Sequence, residues 1–385
     1  MKDTKGIIIG IDASRNRSGG AKAHLIGILS SLDPTAIGIY QIHVWSFKSL
    51  LDSIPDFPWL IKHNPKALEK SLVNQLKWQA LQLSKELTNN ECNILFTSDA
   101  STLCRFKPMV VLSQDMLSYE PGVMQYFGYG LARIRLLAIL FIQNAAFRHA
   151  RGVIFLTKYA GKLIQKSCGP LKSIAYIPHG IDAQFYKKLD IDKIKLGYRK
   201  QIRCIYISNA EMYKHQWVVV KAISILRKSG YDVFLTLVGG GKGPALELMN
   251  EAIKSEDPEG SYIEQLAFLP HKELPDILAS SDLSIFASSC ENMPVTLLES
   301  MASGIPISCS DRGPMPDVLE SGGVYFDPFN AESIAISIEK IILDPDLRLH
   351  IAVRAKELAN LYSWEKCSKE TFSFIVQTYK KFIKK

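Results

Sequence analysis

Two carboxylates with seven residues between them, Glu291 and Glu299, mark the stretch of this chain best suited to chemistry. A short apolar run at 283–286 leads through Ala-Ser-Ser-Cys to Glu291-Asn292-Met293-Pro294, and an apolar-periodic segment follows from Val295 to Gly304. The pattern predicts a buried strand, a short loop and a helix. Pro294 suits the start of that helix, because the N–H it lacks would have no intrahelical partner there. Where a strand end meets a helix N-terminus in an open α/β sheet, free amides and a partial positive charge can receive a phosphate. The two acids are suited to a different task. A carboxylate accepts hydrogen bonds from sugar hydroxyls and can hold a vicinal diol, as the acidic residue does for ribose in dinucleotide folds. An acidic first turn that complements the helix dipole would account for Glu291 alone.

Two glycine-rich turns could also receive a ligand. Leu237-Val238-Gly239-Gly240-Gly241-Lys242-Gly243-Pro244 reads as a strand running into a tight turn, a pattern that any strand-to-helix junction favours. Near the N-terminus, the run 7–11 leads to Arg15, Arg17, Gly19, Gly20 and Lys22 and then to an apolar helix. Two adjacent glycines between strand and helix let amides approach an anion, and three cations surround them.

Short apolar runs alternate with helical patterns almost throughout, which predicts βα units around parallel sheets. Strands are expected near 6–11, 39–45, 93–97, 109–113, 152–156 and 174–177, with helices between them, notably over 65–88 and up to about 150. A second series is expected at 202–207, 232–238, 263–269, 283–286, 305–308 and 324–326. The fold class is therefore α/β with two doubly wound domains, and 385 residues suit that number. The expected organisation is a first domain over 1–182 and a second over 183–363, with the polar, Lys-rich stretch 183–201 as interdomain linker. An amphipathic closing helix over 364–385 completes it, either capping its own domain or resting on a membrane.

The formal charge of +8 is uneven. Residues 1–180 hold 21 Lys and Arg against 11 Asp and Glu, residues 181–365 hold 19 against 26, and residues 366–385 hold 6 against 1. A basic first half suggests an anionic partner, and nucleic acid, a membrane surface and a phosphorylated substrate are all admissible on charge. No basic motif interleaved with aromatics supports nucleic acid. Seven scattered cysteines with no Cys-x-x-Cys pair argue against a disulfide framework or zinc ribbon and for a reducing cytosol. The N-terminus has no signal-peptide pattern. The apolar stretch from Leu131 to Phe147 contains Arg133, Arg135, Gln143 and Asn144, too polar for a membrane span, and is read as core packing or as a helix resting on lipid.

Taken together, Phe286 to Pro306 with its Glu291-x7-Glu299 pair resembles the donor-site motif of retaining glycosyltransferases of family 4. Asp311-Arg-Gly-Pro-Met-Pro-Asp-Val-Leu, Gly322-Gly-Val-Tyr-Phe-Asp-Pro, Pro178-His-Gly-Ile-Asp182 and Ser363-Trp364 resemble the same family. The resemblance implies a GT-B fold, in which two Rossmann-like domains face each other across a cleft and the C-terminal helix crosses back to the first. It implies a nucleoside-diphosphate sugar as donor, with Glu299 on the ribose hydroxyls, Glu291 on the hexose, and the amides of Asn292, Met293, Pro294 and Val295 around sugar and diphosphate. The family places an Arg and, five residues later, a Lys after the first strand of this domain. This chain keeps Lys214 but carries Asn209 in place of the arginine. Gly239 and Gly240 would lie against base and ribose, and Gly19 and Gly20 against diphosphate and acceptor, with Arg15, Arg17 and Lys22 as candidates for the missing charge. Where many members carry a His, this chain has Gln114, with Asp115 beside it as the nearest acid or base; His179 is either a turn-fixing residue or a proton carrier. Asp190-Ile-Asp192 and Asp344-Pro-Asp346 are Asp-x-Asp pairs without a buried strand leading into them, so neither a metal nor a cofactor is expected. The function implied is retaining, metal-independent glycosyl transfer to a glycan or lipid-linked acceptor in bacterial cell-surface polysaccharide or lipopolysaccharide synthesis, by a cytoplasmic protein with possible peripheral membrane contact. The alternative is a non-catalytic sugar-nucleotide-binding subunit.

Overall fold

The computed structural model describes residues 6–17, 19–195 and 201–384. They form two compact units, one of Met1–Gly180 with Ser363–Lys385 and one of Ile181–Tyr362. The change of unit falls two residues before the boundary expected after 182.

In chain order the strands of the first unit are β1 (Ile7–Asp12), β2 (Ile39–Trp45), β3 (Leu60–His63), β4 (Ile94–Thr97), β5 (Met109–Ser113), β6 (Gly152–Phe155) and β7 (Ile174–Tyr176). They pair in parallel in the order β3-β2-β1-β4-β5-β6-β7. Every residue of β4 and β5 is buried, as in a sheet covered on both faces. β3 was not foreseen in the sequence. It is a four-residue edge strand with one fully buried side chain, so it carries almost no pattern of its own. The single helix expected over 65–88 is three pieces, a 3-10 turn at Lys66–Glu69 and helices at Leu72–Leu81 and Leu83–Asn89. Glu86 in the last piece accepts the indole N–H of Trp45 at 2.6 Å and of Trp78 at 2.8 Å, which ties these pieces to β2.

The second unit has β8 (Ile202–Ile207), β9 (Val233–Val238), β10 (Ile263–Leu266), β11 (Leu283–Phe286), β12 (Ile307–Ser310) and β13 (Val324–Phe326). They form a parallel sheet in the order β10-β9-β8-β11-β12-β13. β12 begins two residues later than the run at 305–308 predicts, because Pro306 has no N–H to give the ladder. Each sheet reverses its order once, between β1 and β4 in the first unit and between β8 and β11 in the second. Ligands of open α/β sheets bind outside the carboxyl ends of strands at such a reversal.

The stretch 183–201 is not a linker over its described part. Phe185 and Ile194 are buried in the second unit. The Tyr186 hydroxyl donates to the carbonyls of Ala359 and Tyr362 at 2.9 and 3.1 Å, and the buried Arg348 donates from Nε to the carbonyl of Ile194 at 3.0 Å. A few anchors fasten a segment whose lysines hide it in a pattern search. The rest of that reading, 196–200, lies outside the described residues.

The closing helix Trp364–Ile383 belongs to the first unit. Ser363 caps it by accepting the N–H of Lys366 at 3.2 Å, Ser368 donates to the carbonyl of Ile28 at 2.6 Å, and Phe372, Ile375 and Val376 are buried. Trp364 fills the space left by Gly27 and Gly180: a Cβ on Gly27 would lie 2.4 Å from its ring, and one on Gly180 2.4 Å from its backbone nitrogen. Gly27→Ala therefore forces the indole out of place and is expected to destabilise the protein by about 1–3 kcal/mol in urea unfolding. An unchanged midpoint would show that Trp364 does not seat against this helix.

Candidate functional site

In the second unit the loops after β8 and β11 meet at the sheet's reversal point. Lys214 Nζ and Glu291 Oε1 form an ion pair whose side chains are only 14% and 15% exposed. The backbone on both sides of the pair is fixed. Tyr206 donates its hydroxyl to the carbonyl of Lys214 at 2.7 Å, and the Ser289 N–H donates to the carbonyl of Tyr213 at 2.8 Å. His215, with φ at 54°, turns the chain into the helix Gln216–Lys228 and shares a 2.8 Å hydrogen bond with Ser289 Oγ. Burial pulls the His215 imidazole down to about 4, so near neutral pH it joins that bond uncharged. The ammonium of Lys214 also lies 5.4 and 5.5 Å from the ring centres of Tyr213 and Phe286, a favourable place for a cation.

Asn209 is exposed at the end of β8, and its carbonyl accepts from Gln216 Nε2 at 2.8 Å. The glycine turn after β9 is fastened to it: Ala210 N–H donates to the carbonyl of Gly240 at 2.8 Å. A Cβ on Gly239, whose φ is 137°, would lie 2.3 Å from the Ser208 carbonyl oxygen, so this position is closed to any side chain. Gly240 has no heavy atom within 4 Å of its would-be Cβ and faces open space.

Asn292, Met293 and Pro294 are buried, Pro294 precedes the helix Val295–Ser303, and its carbonyl accepts the N–H of Leu297 and Leu298 at 3.0 and 3.1 Å. Val295 is half-buried at the helix start. Glu299, inside that helix and 4% exposed, does not share a partner with Glu291. Its Oε1 is 2.6 Å from Nε2 of His271, and Asp182 Oδ2 is 3.9 Å from the other ring nitrogen. Sequence reasoning missed His271. It sits in a 3-10 turn that only the fold brings over Glu299, and the Pro270-His271-Lys272 stretch carries no chemical signature.

Burial pushes the Glu299 carboxyl up, and the hydrogen bond to Glu299 raises the His271 imidazole. Both groups therefore bind protons more tightly folded than unfolded, and stability falls as pH rises from about 6.5 through the folded value of His271. Urea melts of the full chain between pH 6 and 9 are expected to show this decline, and His271→Asn is expected to flatten it. Equal slopes would rule the pair out as its source.

In the first unit the carboxyl ends of β1, β4 and β5 carry a set of polar groups. Asp12, 2% exposed, accepts Gln79 Nε2 at 2.7 Å and the Ser14 N–H at 3.1 Å. Ser98 donates to Asn16 Oδ1 at 2.8 Å, and Asn16 donates to the carbonyl of Ala21 at 2.9 Å. This network, which the sequence did not reveal, pins the loop before the helix Gly19–Ser30. Gly19 takes a φ of 61° with open space around its would-be Cβ, and Gly20 follows in the helix. Arg15 and Lys22 are half-buried; Arg17 is exposed, donates to the carbonyl of Leu68 at 3.0 Å and lies 4.5 Å over the Phe47 ring. Arg17 also lies near enough to Glu69 for its charge to help lower that carboxyl, after the hydrogen bonds from the Lys48 N–H and Asn64.

Asp115 accepts the Leu117 N–H at 2.9 Å, and burial together with the charge of Asp99 raises its carboxyl. Gln114 keeps a buried Nε2 with no hydrogen-bond partner among the described residues. His179 does not join them. It is 4% exposed, 2.8 Å from His24 Nδ1 and beside Trp364, and burial holds it down to about 4. His179 is therefore uncharged near neutral pH, packed with His24 and Trp364 beneath the closing helix. Among the described residues no group of three or more His, Cys, Asp or Glu is placed to hold a metal ion.

Residues 188–358 match the family described as Glycosyl transferases group 1. The chain is 24% identical over 169 residues to the O-antigen chain mannosyltransferase B of Escherichia coli, covering 44% of each. It is 25% identical over 230 residues to a GDP-mannose-dependent alpha-(1-6)-phosphatidylinositol monomannoside mannosyltransferase of Mycolicibacterium smegmatis, covering 55% of this chain and 58% of that one. The chain thus spans about half the length of the curated relatives it matches. Among solved structures, sucrose-phosphate synthase from Thermosynechococcus elongatus superposes with a TM-score of 0.78 at 17% identity over 98% of this chain and 99% of that one. HepE of Anabaena, solved with UDP and glucose, superposes with a TM-score of 0.71 at 19% identity over 95% and 98%. The two Rossmann-like domains are those of the GT-B fold.

Proposed function

We propose that the chain is a retaining glycosyltransferase that uses a nucleoside-diphosphate sugar and needs no resident metal or cofactor. The observation that carries this reading is the Lys214–Glu291 pair at the reversal point of the second sheet, beside the N-terminus of the helix Val295–Ser303. The family match to residues 188–358 supports it. On this reading the acceptor hydroxyl attacks the anomeric carbon from the face the diphosphate leaves and gives up its proton to a base, while the bond from that carbon to the diphosphate oxygen breaks and its electron pair leaves with the diphosphate. Lys214 and the backbone N–H groups of Asn292, Met293 and Val295 meet the growing negative charge, which is worth most in a site shielded from water. Glu291, once a donor displaces its contact with Lys214, accepts hydrogen bonds from the sugar hydroxyls. Glu299 serves the ribose when His271 moves aside.

The first unit supplies the acceptor side, with Asp115 as the base candidate and Gln114 offering an unused N–H. An acceptor that is a glycan or a lipid-linked sugar, in the synthesis of a bacterial surface polysaccharide or lipopolysaccharide, suits the E. coli relative's name.

Incubation of the purified chain with a panel of sugar nucleotides tests the reading. Slow donor hydrolysis, unaffected by a chelator, is expected, and Lys214→Ala or Glu291→Ala is expected to reduce it at least a hundredfold. Binding without turnover under any acceptor would instead favour the non-catalytic sugar-nucleotide-binding subunit, the reading motivated by Asn209 in place of an arginine and Gln114 in place of a histidine. Restoring that charge gives a separate measurement. Asn209→Arg adds a charge-assisted contact of about 1.5–3 kcal/mol and is expected to tighten donor binding roughly tenfold or more by calorimetry.

A further inference from the structure

The helix Leu131–His149 is apolar on both faces: Leu136, Ala146 and Phe147 are buried, and a second apolar set faces outward. Its buried side includes two amides, Gln143 and Asn144, at 1% and 6% exposure. They are held there by hydrogen bonds: Gln143 donates to Ser101 Oγ at 3.0 Å, Asn144 donates to Ser167 Oγ at 2.9 Å, and Asn144 accepts the Tyr119 hydroxyl at 3.1 Å. Its outer side is apolar. Leu131, Ile134, Leu137 and Phe141 recur at intervals of three and four and are 84%, 61%, 39% and 70% exposed, with Tyr129 just before the helix at 95%. A soluble helix ordinarily turns polar residues outward, and a contiguous exposed apolar face of this kind marks an interaction surface.

The charge around this face selects the partner. From residue 121 to residue 181 the sequence contains eight Lys and Arg and no Asp or Glu. Arg133 and Arg135 sit within the apolar stripe, Arg133 lying 4.9 Å over the Tyr129 ring. The helix Lys158–Cys168, tied to the first by the Asn144–Ser167 bond, carries Lys158, Lys162 and Lys166 at helical spacing, all exposed. An exposed apolar stripe with exposed arginine and lysines beside it fits the interface of an anionic bilayer, where Leu, Ile and Phe side chains enter the acyl boundary and Arg and Lys stay at the headgroups. Among the described residues no helix is long and apolar enough to cross a membrane, so such a contact lies on the surface.

We infer that the first unit docks on anionic lipid through the outer face of the helix Leu131–His149, with Tyr129, Leu131, Ile134 and Phe141 inserted and Arg133 and Arg135 at the headgroups. The inference is independent of sugar transfer, because it concerns where the protein sits and is read without turnover.

Sedimentation of the full chain with phosphatidylglycerol/phosphatidylcholine vesicles tests it. Binding is expected to the mixed vesicles, to be much weaker to pure phosphatidylcholine, and to fall with added salt as the headgroup charge is screened. Each arginine beside an anionic surface is worth roughly a fivefold change in partitioning, so Arg133→Ala with Arg135→Ala is expected to lower it at least tenfold. Ile134→Asp with Phe141→Asp is expected to abolish it with an unchanged melting temperature, since both side chains are exposed in the folded protein. Insertion is read separately on Phe141→Cys carrying an environment-sensitive fluorophore. The seven native cysteines are all buried, so the label is directed to the new site, and a blue shift on mixed vesicles is expected. Absence of binding to mixed vesicles, binding that survives both double substitutions, or a label that stays in water would overturn the inference. So would light scattering that shows a dimer broken by Ile134→Asp, because the face would then belong to a second copy.

Discussion

The second unit depends on placing a lysine and a glutamate next to each other almost out of water. An ammonium and a carboxylate at such low exposure are costly unless each has the other, and removing one partner of a buried pair typically costs about 3–5 kcal/mol. The surrounding structure keeps the two aligned. Tyr206 and Ser289 hold the backbone on the Lys214 side, a neutral His215 closes the bond to Ser289, and the loop at Gly313 passes beside the Glu291 amide, 3.9 Å from its would-be Cβ. The hydrogen bonds around the pair hold its backbone in place, so a change at this site is confined to the side chains of Lys214 and Glu291. The second half is acidic overall, 26 acids against 19 bases over 181–365, and Lys214 is a cation held locally against that background.

The first unit solves a different problem. Its sheet edge gathers Asp12, Asp99 and Asp115 at the ends of neighbouring strands, and burial together with their mutual repulsion raises Asp12 and Asp115. The hydrogen bonds of Ser14, Gln79 and Leu117 offset part of that cost. The basic excess of this half is carried elsewhere, much of it in the acid-free stretch around the helix Leu131–His149. Eight of the cations of this half lie in the acid-free stretch 121–181, apart from the three aspartates at the strand ends.

The sequence determined most of what depends on local pattern. Twelve of the strands, the helix after Pro294 and the glycine turns after β1 and β9 were legible, because apolar runs, a proline at a helix start and glycines at tight turns impose backbone conformation through their own sterics. The pairing of Lys214 with Glu291 was only implied, since 77 residues separate them and nothing in either segment names the other. Other features had no local signal. The edge strand β3 is too short for one, the anchoring of 183–195 rests on Phe185, Tyr186 and Ile194 scattered among lysines, and His271 meets Glu299 only through the packing of a 3-10 turn on a helix. Nor did the sequence show that His179, read as a turn-fixing residue or a proton carrier, packs with His24 and Trp364. The orientation of the helix Leu131–His149 was likewise open, as its apolar and polar residues alone permitted either side to face inward. Tertiary structure decided it through Ser101, Tyr119 and Ser167, whose hydrogen bonds hold Gln143 and Asn144 inside beside Leu136, Ala146 and Phe147 and leave Leu131, Ile134 and Phe141 exposed. Local sterics can be read along a chain, whereas which buried polar group finds which partner is settled only when distant segments meet.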